Sequence, residues 1–167
     1  LPPGRGQDIC FPFLMVKRGL RPVYEPRALA SEPMAATIGD ELSRKRRMMS
    51  GAWATMLGGG MLSPRGYDPL YALQIASHRL LRYSTPLLHL VALGCNLALL
   101  GEGWVYAATL AAQLALLAAA GLAALVPARP FQVARYYVAV TAASAAGLWD
   151  HLRRRVPATW EQAEGTR

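Results

Sequence analysis

PLLHLVALGCNLALLG, residues 86–101, and WVYAATLAAQLALLAAAGLAALV, residues 104–126, each run without a charged side chain. A bilayer core of about 30 Å accepts a helix of about 20 apolar residues. Both stretches therefore read as membrane segments. A third, FQVARYYVAVTAASAAGLW at residues 131–149, is less apolar and contains Arg135. Charge bias sets the expected topology, because lysine and arginine accumulate on the cytoplasmic side. The link at Glu102 holds no basic residue, whereas Arg129 and Arg135 precede the third segment and Arg153, Arg154 and Arg155 follow it. Two cytoplasmic ends require an even number of crossings. The third segment is thus expected to be re-entrant or interfacial, the alternative being a tail that violates the charge rule, in a multi-pass protein of the inner cell membrane with a cytoplasmic tail at 151–167.

Within the membrane region, residues 86–150, Thr85 is expected to cap the first helix and Pro86 to sit in its first turn. His89 and Asn96 share a helix face, and Gln113 lies in the following segment. Such groups could line a passage for a hydrophilic chain. Hydrogen bonds between helices explain them more economically.

Working back along the chain, residues 35–85 read as amphipathic helices at a membrane interface. From Thr37 to Leu57, the residues Ile38, Leu42, Met49, Ala52, Trp53 and Met56 fall on one face at helical spacing, interrupted by Lys45, whose stem can lie along apolar surface while its ammonium reaches headgroups. Gly58, Gly59 and Gly60 stop that helix, and Arg44, Arg47 and Gly51 share the opposite face. The apolar side could rest in the membrane interface, or the helix could be an ordinary core helix with a solvated basic face. The stretch DPLYALQIASHRLLRY, residues 68–83, reads as a second amphipathic helix along the inner leaflet, with Arg79 and Arg82 close to the first membrane segment.

Residues 1–34 read as the end of a truncated domain. Asp8 can cap a short helix through Lys17 and Arg18, Gly19 supplies its stop, and RPVYE at 21–25 is expected to form a short strand. A piece of this size cannot bury a core of its own. The chain opens on Leu1 without the pattern of a signal peptide, so it is expected to begin mid-protein.

Bulk properties narrow the function classes. Of the 167 residues 53% are apolar, which argues against one soluble core, and the net charge of +8 sits beside apolar helices and at helix ends. Nucleic-acid tracking needs a solvated basic groove, which this distribution does not provide, so no nucleic-acid partner is expected. Cys10 and Cys95 lie in segments of different character, and neither has a metal-ligand partner at useful spacing.

Four stretches, taken in order, resemble the C-terminal part of membrane-integrated family 2 glycosyltransferases of the hyaluronan, chitin and cellulose synthase type. GQDICFPFLMVKRGLRPVYEPRALASE, residues 6–32, resembles the family segment in which an acidic residue opens a helix before a strand and loop; Asp8 matches that acidic position. SRKRRM, residues 43–48, resembles a variant of the family's QxxRW motif, with Arg44 at the Gln, Arg47 at the Arg and Met48 at the Trp. SHRLLRYSTP, residues 77–86, resembles the lead into the transmembrane region, and ATWEQAEGTR, residues 158–167, the closing tryptophan-containing tail. Gln7 stands where the family usually has Glu, and Met48 replaces the aromatic platform beneath the acceptor sugar.

The resemblance implies a mainly α chain: membrane and interfacial helices, with a remnant of an α/β glycosyltransferase domain at its start. It implies inverting transfer from a nucleotide-sugar donor to a glycan or lipid acceptor, beside membrane lipid. Asp8 would be the catalytic base, and its alternative role is a plain helix cap. Arg44 and Arg47 would offset charge on the leaving diphosphate, with Met48 near the acceptor. Trp160 and Arg167 would belong to a tail over the site, or to a frayed terminus. A divalent metal, Mg or Mn, is expected in the full enzyme with its ligands upstream, so these residues alone are expected to bind no donor. The rival readings are a non-catalytic membrane anchor or subunit of a polysaccharide-synthesis complex, and a small transporter.

Overall fold

The computed structural model describes residues 7–31 and 37–153. Trp160, Arg167 and the side chain of Ile38 lie outside what is described. The described chain is mainly helical: α1 (Gln7–Lys17), α2 (Ile38–Gly58), α3 (Pro69–Gln74) running into a π-helical stretch (Ile75–Leu81), α4 (Thr85–Ala98), α5 (Trp104–Leu122) and α6 (Arg129–Leu152). There is no strand among the described residues. Two compact units result, one of residues 1–83 with 146–167, the other of residues 84–145.

In the first unit α1 packs on α2. Cys10 and Phe13 from α1 meet Ala52, Trp53 and Met56 from α2 in a core that also takes in Met61, Ile75 and Tyr83. The Cys10 thiol reaches the Thr55 hydroxyl at 3.5 Å, and that hydroxyl donates to the Gly51 carbonyl at 2.9 Å. The apolar stripe of α2 is therefore buried in protein over Ala52, Trp53 and Met56, which selects the core-helix alternative for that half of the helix. Lys45 pairs with Glu41 at 3.6 Å, one turn back on its own helix, so its ammonium has an ionic partner within the protein.

Local chemistry sets the ends of these helices. Asp8 lies inside the first turn of α1, not at the cap position, and Pro12 withholds the amide that would bond the Asp8 carbonyl. The helix stops where Gly19, at φ 74°, lets its amide reach the Val16 carbonyl and the Leu20 amide reach the Met15 carbonyl, the paired bonds of a Schellman motif. Lys17 then fixes this end to the next loop, donating to the carbonyls of Ser63 and Arg65 at 2.9 and 3.0 Å and standing 4.5 Å from the Tyr67 ring centroid. Thr37 caps α2 by accepting from the Asp40 amide and donating to its carboxylate, and Asp68 caps α3 through the Tyr71 amide.

The strand expected at RPVYE is not formed. A strand needs a neighbour to satisfy its amides and carbonyls, and none is present among the described residues. Residues 20–25 are irregular and exposed, and a turn at Pro26 and Arg27 is closed by Glu25, whose carboxylate takes the Arg27 amide at 3.1 Å and its guanidinium at 2.9 Å.

The second unit holds α4, α5 and most of α6. α4 is shorter than its apolar run: the chain turns at Leu99, with the Glu102 amide on the Leu99 carbonyl at 2.9 Å. Its 14 residues give about 21 Å of helix, short of a bilayer core. α5, with 19 residues, is the one described helix both long and apolar enough to cross a membrane, and no residue along it is buried by protein. The cap of α4 falls on Ser84 and not on Thr85, while Pro86 does occupy the first turn. α6 is one unbroken helix of 24 residues, which excludes the re-entrant hairpin considered for this segment. A re-entrant path needs a reversal, and Phe131 to Trp149 contain neither a glycine–proline pair nor a polar run to make one.

Candidate functional site

α2 positions the basic segment SRKRRM. Its arginines divide by partner. Arg44 makes a two-pronged ion pair with Glu41, at 2.9 and 3.2 Å, so its charge is already met one turn away. Arg46 is engaged by Asp150 near the end of α6, at 2.6 and 2.7 Å, and this carboxylate raises the Arg46 pKa further above its ordinary value. Arg47 is exposed and makes no ion pair with a described residue. Of the two arginines assigned to a diphosphate, Arg47 alone keeps its donors available. Met48 is 47% exposed beside it, with no aromatic ring in the position the motif would fill.

Asp8 is exposed at the start of α1 and pairs with no described cation. Arg47 faces away from Ala52 and Met56, the side of α2 that receives α1, and no contact joins it to Asp8 among the described residues. Trp160 and Arg167 lie outside the described residues.

Two features at this site escaped the sequence reading. The contact between α2 and α6 is one: a Cβ on Gly147 would stand 2.6 Å from the Met49 Cβ, 2.8 Å from the Ser50 nitrogen and 2.9 Å from the Arg46 carbonyl oxygen. Only glycine permits so close an approach. The other is the π-helical turn at Ile75–Leu81, which carries His78 and Arg79 of the SHRLLRYSTP motif. His78 Nδ1 lies 2.8 Å from the Ser77 hydroxyl, and Arg79 donates to the Tyr83 hydroxyl at 3.1 Å.

The metal that the resemblance implies finds no fitting ligand set here. Among the described residues no three His, Cys, Asp or Glu side chains gather. The carboxylates of Glu25, Glu41 and Asp150 hold arginines, Asp40 takes the Thr37 hydroxyl, and Asp68 caps α3. A hard divalent cation needs several convergent oxygens, and these carboxylates are already committed elsewhere.

In the second unit the polar residues of the apolar helices are bonded to one another. Asn96 donates to Gln113 at 3.1 Å and accepts from Thr109 at 2.9 Å, while His89 Nε2 lies 2.7 Å from the Tyr137 hydroxyl with the rings edge to face. They act as ties between helices, and these bonds occupy the groups that a hydrophilic passage would have to offer.

No protein family, curated protein or solved structure matches the chain.

Proposed function

We propose that these residues are the C-terminal, membrane-associated part of an inverting family 2 glycosyltransferase, which moves a sugar from a nucleotide-sugar donor to a polysaccharide or lipid-linked acceptor. The observation that carries this reading is the succession of four motifs, SRKRRM at its centre, in the family's order along one chain. The exposure of Asp8 and of Arg47, neither of which pairs with a described residue of opposite charge, supports it. Asp8 acts as general base on the acceptor hydroxyl, and Arg47 binds the departing diphosphate through its forked donors. Arg44 is a positioning residue through Glu41. Trp160 and Arg167 are assigned to a closing tail on the motif alone. The resemblance would put the donor pocket and any metal ligands outside the four motifs.

The test uses the protein that carries this sequence, expressed in its membrane. Asp8→Asn is expected to abolish sugar transfer while donor binding persists, because the carboxylate serves the acceptor. Arg47→Ala is expected to weaken both diphosphate binding and rate. Retention of more than about a tenth of the rate by Asp8→Asn, a barrier change below about 1.4 kcal/mol, would reduce Asp8 to a first-turn helix residue.

A membrane anchor without catalysis is the second reading. The committed state of every described carboxylate except Asp8 and Glu102 favours it. Absence of sugar transfer by the unsubstituted protein, purified from its membrane, would favour the anchor.

A further inference from the structure

Helices α4, α5 and α6 line an open-sided cavity of about 300 Å³ in the second unit, walled by Leu90, Leu93, Leu116, Leu117, Val138 and Ala142. Its polar lining is confined to His89, Gln113, Tyr137 and Thr141. The first three are already bonded: His89 to Tyr137 at 2.7 Å, and Gln113 to Asn96 at 3.1 Å. No charged side chain lines the space. A charged or strongly hydrated ligand would surrender its water there and find little to replace it. An uncharged hydrocarbon chain is the complement of such walls.

The cavity is also continuous with the outside of the helices. Leu90 and Leu117 line it and yet are 66% and 51% exposed, so its wall runs without a polar break onto the uncovered apolar faces of α4 and α5. A chain lying beside these helices can enter sideways, from the medium that the same faces require.

We propose that this cavity holds one acyl chain of a membrane phospholipid, with the headgroup left outside. The inference rests on the membrane placement of α4 and α5 in the proposed function, but not on sugar transfer. The occupant is an acyl chain because the lining carries no charge to hold a headgroup, and acyl chains are the hydrocarbon that a bilayer beside α4 and α5 supplies in greatest amount.

The protein is reconstituted into phosphatidylethanolamine–phosphatidylglycerol nanodiscs doped with a phospholipid bearing a mid-chain diazirine, irradiated, and the adducts mapped by peptide mass spectrometry. Adducts are expected to concentrate at Leu90, Leu93, Leu116 and Val138. They should fall at least tenfold in Ala142→Phe, whose ring occupies the cavity, and stay unchanged in Ala118→Phe, which adds the same ring to an exposed position of α5. Leu93→Ala, which widens the space without touching a hydrogen bond, should keep or raise the yield. That variant guards against misreading a folding defect in Ala142→Phe. Adducts spread evenly around the helices and indifferent to Ala142→Phe would mean surrounding lipid only, and would overturn the site. Stronger capture of a diazirine polyprenyl phosphate than of the phospholipid would overturn the choice of occupant. Recovery of the protein in the soluble fraction would overturn the membrane placement together with the site, whereas a membrane-extracted protein without cavity adducts overturns the site alone.

Discussion

Burial pushes the Tyr67 phenol up to about 12, with the neighbouring Tyr71 adding to the effect. The phenol donates to the Met61 carbonyl at 3.0 Å, a bond that ionisation would destroy. The folded value lies above the unfolded one of about 10, so the contribution to stability is fully present below pH ~10 and is lost as pH rises toward 12. Tyr67→Phe should therefore delete the last step of a tyrosinate absorbance titration and flatten the alkaline limb of the stability curve; an unchanged limb would show the phenol already free in the folded state. Ser50 poses the opposite case, since its hydroxyl is buried and makes no hydrogen bond with any described residue. An unsatisfied buried hydroxyl costs about 1–3 kcal/mol, so Ser50→Ala is expected to raise stability by about 1 kcal/mol in a denaturant titration, and a loss would mean that the hydroxyl has a partner. The sequence showed neither feature, because Tyr67 meets Met61 and Ser50 meets Gly147 only on folding. It did contain the Arg44 pairing: Glu41 stands three residues before Arg44, the spacing at which opposite charges meet on a helix.

At the scale of elements, the legible parts were those set by local chemistry. α2 runs Ile38–Gly58, within one residue of the helical pattern from Thr37 to Leu57 and its glycine stop, and Gly19 ends α1 as expected, through two backbone bonds. The misread parts depended on partners or on a different period. RPVYE has strand composition and no strand to pair with among the described residues. Ile75–Leu81 widens to a π-helix, which a count at 100° per residue cannot follow, so the two faces assigned to residues 68–83 shift past Ile75. The contact of α6 with α2 was invisible for a plainer reason: Arg46 and Asp150 are 104 residues apart. Exposed ion pairs contribute at most about 1 kcal/mol, so the close fit at Gly147 should matter more than the salt bridge. Gly147→Ala would put a methyl against the backbone at Ser50 and Arg46, atoms that cannot rotate away. It is expected to cost about 1–3 kcal/mol, the range for overpacking, and to lower the melting temperature more than Asp150→Asn does. Equal melting of the two variants would mean that the helices separate without loss.

Across the whole molecule, the proposed membrane placement raises the question of which helices would cross the bilayer. α5 meets the requirement of length and apolarity by itself, and no residue along it is fully buried. One crossing by α5 alone would put the chain before it and the chain after it on opposite sides. Both carry basic clusters, Arg44 to Arg47 before α4 and Arg153 to Arg155 after α6, and basic residues resist translocation. On the proposed membrane placement, α4 is then expected to cross as well. Its 14 residues fall about 9 Å short of a 30 Å core, a mismatch that local thinning of the bilayer can meet at modest cost. α6 carries Arg135 and Asp150 and fails the test of apolarity that α5 passes. It is therefore expected to lie at the cytoplasmic interface, with the Glu102 link outside and the tail inside. The measurement is cysteine labelling in intact cells, in a background where Cys10 is Ser and Cys95 is Ala. Glu102→Cys should react with a membrane-impermeant maleimide, and Gly165→Cys should react only after permeabilisation. Protection of residue 102 would show that α4 does not cross and would leave α5 without an even partner. Labelling of residue 165 in intact cells would show that α6 crosses despite Arg135, and the charge rule would have to yield to the 24-residue length of that helix.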